Sequence, residues 1–517
     1  MSEQAKFSAA QWAFDLLTAD SQRTLLLQDQ KKISAAALHE DVSRIRASLN
    51  QAGLGQDRIV AVACERSASS LAVILACLCE NISPFLIDPR QDHDVLAKLL
   101  DAVRVHGLFC GESMKSEMFR ARLPYLKWVG ESESVMHASR ATAPEESLEG
   151  SFLLHSSGTC GLPRALHHSG SAISWQAGAL AKNLRLKPGS ELWFTGSIAQ
   201  PSVFSMGLCA VLSAGGTLVL DDPETKLSIA PRLSEGQRLL LLSQFTDSQT
   251  WNAEKLLALK GKVSATMTTD FSLSESFAVT VTQATDAPVW NGWSLAEVAG
   301  FLTVNPIPGV WPSESVGRPL AGAEVRGLEN ESTASDGLSR LFYRHAPVPQ
   351  KVISLTFQGK SEHANLGNPT DDWGRVDAND FIFVDGCEKS VFYRAGFPIE
   401  ARQVEAQLVS LDGIKESLVF GLPNDDVETE VATVIVPSNG KTDFASSISE
   451  LSKTTPRYML PQRLSIAESL QRTPTGKYVR HGLPTSGKPV VLQSDSKIVP
   501  PARPDESDHE MGNEDQE

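Results

Sequence analysis

Cysteine is scarce in this chain and carries no pattern. The seven residues (Cys64, Cys77, Cys79, Cys110, Cys160, Cys209, Cys387) show no CxxC and no Cys/His spacing. That argues against a disulfide framework or a zinc site and leaves buried free thiols as the expectation. Long hydrophobic runs are missing too. The longest clear one, residues 71–79, is well short of the ~20 residues a membrane helix needs. The start of the chain lacks a basic segment followed by an apolar one, so no membrane span and a cytoplasmic location are expected. Positive charge is in deficit: 47 Lys and Arg against 62 Asp and Glu give a net charge of -15. This disfavours nucleic acid as a partner, because phosphate backbones need a basic surface. No repeat of the length that builds solenoids or propellers is visible.

What remains is an ordinary globular composition, 41% hydrophobic with 36 Gly and 28 Pro spread along 517 residues. The length is too great for one core and predicts a large domain plus a smaller one. Short apolar runs at residues 59–64 and 84–87 are each followed by an amphipathic stretch, and helical spacing recurs over 33–52 and 95–103. That alternation predicts βα units on mostly parallel sheets, an α/β fold. After Gly386 the texture changes to a helix candidate (399–410), two strand-like runs (417–422, 431–436) and a further helix (444–453). The expected division is a large domain over 1–387, a small mobile α+β domain over 388–486, and an acidic tail over 487–517. Residues 505–517 hold seven acidic groups and no Lys or Arg, which reads as disordered and solvated.

The most specific local signal is Ser156-Ser157-Gly158-Thr159-Cys160-Gly161-Leu162-Pro163-Arg164, directly after the apolar Phe152-Leu153-Leu154. Small hydroxyl residues and glycines let backbone N–H groups and hydroxyls close around phosphate oxygens, and a nearby cation adds charge-assisted contact. The Walker pattern GxxxxGK[ST] is absent. On composition alone such a loop is more often a simple turn.

In its spacing the segment resembles the phosphate loop of the adenylate-forming superfamily of acyl-CoA synthetases, aryl-CoA ligases, adenylation domains and luciferases, whose usual form is SSGTTGxPK. Other segments resemble the family's motifs in the same order. Gly55-Gln56-Asp57-Arg58-Ile59-Val60 and Pro84-Phe85-Leu86-Ile87-Asp88-Pro89 are similar to its early landmarks. Trp293-Ser294-Leu295-Ala296-Glu297 is similar to YGxTE, Val316-Gly317-Arg318-Pro319-Leu320 to VGRP, and Thr370-Asp371-Asp372-Trp373-Gly374-Arg375 to TGDLGR. Gly396-Phe397-Pro398-Ile399-Glu400 looks like the start of the small domain, and Pro474-Thr475-Gly476-Lys477 like the terminal PxTGK.

The resemblance implies ATP and Mg²⁺ as co-substrates of an acid–thiol ligase. Ser156, Ser157, Gly158, Thr159, Cys160, Gly161 and Arg164 would cradle the phosphates. Thr159 and Glu297 would be the magnesium ligands. Asp372 would accept from the ribose hydroxyls and Trp293 would pack on the adenine. Lys477 would contact the carboxylate and α-phosphate, and Lys389 would be the hinge between adenylation and thiol transfer. Several positions depart from the family pattern: Arg164 replaces lysine, Cys160 a hydroxyl residue, Ala296 threonine, Asp371 glycine, and Cys387 stands where an arginine helps hold the ribose.

For the acid, residues 194–207 predict a strand and the following helix against the substrate pocket, with Phe204 and Gly207 lining it, although Phe204 is as readily ordinary core. That stretch has no Asp or Glu to pair with an α-ammonium group, so an apolar or aryl acid is expected over an amino acid. Coenzyme A is the expected acceptor, since no carrier domain with a modified serine is visible, with an acyl carrier protein as the other acceptor. The alternative from a different class is a catalytically weakened paralogue that binds a ligand or partner, motivated by the departures.

Overall fold

The computed structural model describes residues 7–110, 126–128, 135–138, 150–156, 163–230, 236–242, 253–269, 273, 275–306, 311–327, 339–354, 368–387, 390–394, 397–424, 428–438, 444, 451–452, 455–473, 478–480, 483 and 488–489. The chain divides into two compact units, Met1–Glu388 with Gln471–His481, and Lys389–Leu470 with Gly482–Glu517. Residues 471–481, which the sequence reading assigns to the small domain, group with the first unit. Of the predicted tail only Lys488–Pro489 is described, as a short strand antiparallel to Arg463–Ile466; its other residues lie outside the described ones.

Among the described residues the first unit is built on three sheets. In the largest, Glu191–Phe194 pairs in parallel with Thr217–Val219 on one side and Arg238–Leu242 on the other, and Ala265–Thr268 and Val289–Leu295 continue the parallel run. Gly300–Val304 then folds back antiparallel on Val289–Leu295. These strands are buried throughout their parallel section. That burial explains why residues 239–242 read as an unbroken apolar run rather than as alternation. The second sheet has eight strands, with Ile59–Ala63 and Ser83–Ile87 parallel at its centre and Phe152–His155 beside them. Helix Ala68–Cys79 crosses between the two central strands and is capped by Ser67, whose hydroxyl accepts from the Ser70 N–H. Ser34 and Asp92 cap Ala35–Gln51 and His93–Val103 in the same way. The third sheet is a four-stranded antiparallel one: Glu324–Gly327, Ser339–Arg344, Asn368–Val376 and Ile382–Cys387.

The second unit holds the hairpin Val391–Arg394 and Phe397–Glu400, then helix Ala401–Val409. Its main sheet begins with the long antiparallel pair Ile414–Asn424 and Glu428–Pro437. The helix buries Val404 and Leu408 against Val419 and Ile435 in one apolar cluster. The predicted helix over 444–453 falls largely outside the described residues. No described helix is long and apolar enough to cross a membrane.

Candidate active site

The two strands that flank the Ser/Gly segment pair antiparallel. Phe152–His155 leads in, Arg164–His168 leads out, and the two strands pair along their length. The neck is closed by two bonds between the same residues: the Ser156 N–H donates to the Arg164 carbonyl (2.9 Å), and the Arg164 N–H donates to the Ser156 hydroxyl (3.0 Å). His155 ties this neck to the Ile-Asp-Pro segment, its Nε2 accepting from the Asp88 N–H (3.2 Å) and its Nδ1 lying 3.0 Å from the Ser156 carbonyl. Those partners fix the tautomer with the proton on Nδ1. Ser157, Gly158, Thr159, Cys160 and Gly161 lie outside the described residues, as do Lys389 and Lys477.

Arg164 opens the returning strand and reaches two carboxylates. Its Nη2 donates to Glu297 Oε1 and to Asp371 Oδ2, each at 2.6 Å. Asp371 lies 3.6 Å from Arg340, whose Nε donates to the Thr370 carbonyl (2.8 Å). Charges therefore alternate along Arg340, Asp371, Arg164 and Glu297. The side chains of Arg164 and Glu297 are mostly covered, 17% and 18% exposed, while Asp371 is 37% exposed. Glu297 sits on a 3₁₀ turn, Ala296–Val298, between two strands of the large sheet. Three side chains bond to that turn. His168 lies 2.8 Å from the Ala296 carbonyl, Gln176 donates to the Val298 carbonyl (2.9 Å), and the Tyr343 hydroxyl donates to the Glu297 carbonyl (3.3 Å). Burial, with the Glu297 charge beside it, pushes the Tyr343 hydroxyl up from its ordinary value, so it stays a donor.

Trp293 and Asp372 also meet. The indole N–H donates to Asp372 Oδ2 at 2.9 Å, and Asp372 is further fixed by its own N–H on the Thr370 hydroxyl (3.2 Å). The Trp293 ring is only 1% exposed and packs with Val298, Leu302, Val316, Tyr343 and Ile382. The ring lies in an apolar core, and its polar edge reaches Asp372, another predicted site residue. A large amphipathic ring gains more from burial with one satisfied donor than from a wet surface. Phe204 and Gly207, the expected pocket residues, are buried as well. Phe204 is 1% exposed with its ring 4.8 Å from that of Phe152. A Cβ on Gly207 would press on Leu218 and Leu192. Both lie on an eight-residue π-helical stretch, Phe204–Val211, that is buried throughout. Cys387 stands opposite Asp372 in the strand register.

Sequence reasoning missed His155, His168, Gln176 and Tyr343, whose importance lies in which carbonyl or N–H each meets across the fold. No local pattern marks them.

The AMP-binding enzyme family profile matches residues 16–336, and that of the AMP-binding enzyme C-terminal domain matches 403–477. The chain belongs to the AMP-binding enzyme family. It is 22% identical over 487 residues to the p-hydroxybenzoic acid–AMP ligase FadD22 of Mycobacterium tuberculosis, covering 87% of this chain and 65% of that protein. It is 21% identical over 477 residues to the 2-succinylbenzoate–CoA ligase of Oceanobacillus iheyensis, covering 89% and 96%. The ATP-bound MatB structure from Rhodopseudomonas palustris superposes with a TM-score of 0.75 at 18% identity, over 92% of this chain and 98% of that one. The fold is thus the adenylate-forming one, with a large N-terminal and a small C-terminal α/β domain. Among the described residues no group of three or more His, Cys, Asp or Glu could hold a metal. Glu297 is nevertheless a hard oxygen donor of the type Mg²⁺ takes, and it already attracts a cation at 2.6 Å. In that respect the donor chemistry fits.

Proposed function

We propose that this AMP-binding family member is an acid–thiol ligase using ATP and Mg²⁺. A carboxylate oxygen attacks the α-phosphorus of ATP and pyrophosphate leaves; a thiol sulfur then attacks the acyl carbon and AMP leaves. The observation that carries the reading is the meeting of Arg164, at the neck of the Ser/Gly segment, with Glu297 on its clamped turn. A cation and a metal-type carboxylate at one such segment are what transfer at a polyphosphate requires, because developing negative charge must be met by fixed opposite charge. In this reading Arg164 turns to the phosphates, and Glu297 with Thr159 holds Mg²⁺, which neutralises phosphate charge when bound. Asp372, oriented by Trp293, accepts from the ribose. Lys477 offsets charge between the carboxylate and α-phosphate.

An apolar or aryl acid is favoured over an amino acid. The stretch 194–207 carries no carboxylate, and two related proteins are named for p-hydroxybenzoic acid and 2-succinylbenzoate. Coenzyme A is the favoured acceptor, with an acyl carrier protein as the other. A weakened, ligand-binding paralogue is the second reading. The enclosed ring of Trp293 and the engaged carboxylates of Asp372 and Glu297 favour it.

ATP–pyrophosphate exchange across a panel of aryl and fatty acids separates the two. At least one acid is expected to support exchange, and Lys477→Ala to lower it by ~10²-fold or more while the fold stays intact. Exchange with no acid, together with undetectable ATP binding, would sink the enzyme reading.

A further inference from the structure

We propose that Asp371 is a built-in competitor for the phosphate-facing cation: it holds Arg164 in reserve, and a polyphosphate binds by taking Arg164 from it. The proposal rests on the reading of the 156–164 segment as phosphate-facing. Arg164 Nη2 is shared between Glu297 and Asp371 at equal distances of 2.6 Å. The two carboxylates differ in how firmly they are placed. Glu297 is half as exposed as Asp371, and its turn is bonded from three directions. Asp371 lies nearer water, where parting from a cation costs least because solvent replaces the lost interaction. Asp371 also stays beside Arg340 at 3.6 Å when Arg164 leaves, so its charge keeps a partner. While Asp371 holds Arg164, that part of the guanidinium faces a carboxylate and not an anion. Asp371 would thus set the affinity threshold of the site without touching the nucleotide, as a positioning residue acting through Arg164.

The test is a double-mutant cycle read by calorimetric binding of inorganic tripolyphosphate, which has neither adenine nor acid, at low and fixed ionic strength. Wild type, Asp371→Asn, Arg164→Gln and the double variant are compared, with thermal melts to confirm folding. Asp371→Asn is expected to tighten tripolyphosphate about three- to tenfold, the range for releasing a charge-assisted bond that is partly solvated. In the Arg164→Gln background the same change is expected to shift affinity by less than about twofold. Equal tightening in both backgrounds would mean simple repulsion of the anion by Asp371 and would overturn the proposal. So would no tightening, or no tripolyphosphate binding by any form. Asp371→Ser serves the same cycle if Asp371→Asn fails to fold. A cycle that behaves as expected in a protein that shows no exchange would leave this inference standing and remove the ligase reading alone.

Discussion

The imidazole of His168 is fully buried, stacks on Phe152 with ring centroids 5.5 Å apart, and sets the turn that bears Glu297 through its contact with the Ala296 carbonyl. Since a carbonyl only accepts, Nε2 carries the proton. Burial pushes its pKa down from 6.5 to about 4, reinforced by neighbouring His167 and opposed by the Ala296 bond. His167 is also pushed down to about 4, by burial and by Lys351. In both cases the folded value lies below the ordinary one, so the unfolded chain takes up protons first. The contribution to stability is complete above about pH 6.5 and is lost as the pH falls towards 4. The full loss is on the order of 3 kcal/mol for each residue. His168→Phe keeps the stack but drops the proton. It is expected to cost about 1–3 kcal/mol at pH 7.5, by leaving the buried Ala296 carbonyl without this donor, and to flatten the decline toward pH 5. Urea midpoints of both proteins at the two pH values check this; parallel pH slopes would show that His168 is not the titrating group.

At the scale of elements, the turn Ala296–Val298 is where the large sheet reverses direction, and Gly300 makes the reversal possible. Its φ is +151°, a region that side chains rarely enter, and a Cβ there would overlap Ser205 on the π-helical stretch and the Gln176 side chain. Gln176 is the residue that also bonds the Val298 and Phe301 carbonyls. One glycine therefore couples helix Ser171–Asn183 and the Phe204–Val211 stretch to the placement of Glu297. Gly300→Ala is expected to destabilise the protein by about 2–5 kcal/mol, from backbone strain and overpacking together. Weaker binding of Mg²⁺–ATP is expected in the fraction that folds. A denaturation midpoint equal to wild type would mean that the neighbouring elements move apart at little cost.

For the whole molecule, the two units meet in sequence at Glu388 and Lys389. If transfer to the thiol needs one unit to turn against the other, the dihedrals at Lys389 absorb that turn. Lys389→Pro fixes φ near -65° and removes a donor. Adenylation, read by pyrophosphate exchange, is expected to survive while acyl transfer to coenzyme A slows by tenfold or more, in the manner of an altered hinge. Equal loss in both half-reactions would indicate general damage and remove Lys389 as the hinge.

Much of the fold is legible in local sequence. The strands Ile59–Ala63 and Ser83–Ile87 announce themselves as apolar runs, and their burial throughout is why. Helices begin at Ser34, Ser67 and Asp92 because side-chain oxygens there accept from N–H groups one turn on. The order of the motifs was enough to indicate the family. The site was legible only as a set of residue types. Arg164 finds its two carboxylates 133 and 207 positions away, and nothing near Arg164 in sequence distinguishes a phosphate-facing cation from one already paired. Trp293, Phe204 and Gly207 stand in segments expected to line the pocket, and in the fold they pack beside Ile382, Phe152 and Leu218 respectively. Sequence periodicity tells which face of an element is apolar. Tertiary packing alone decides whether that face meets a ligand or another element, because the apolar surface of either one removes it from water equally well.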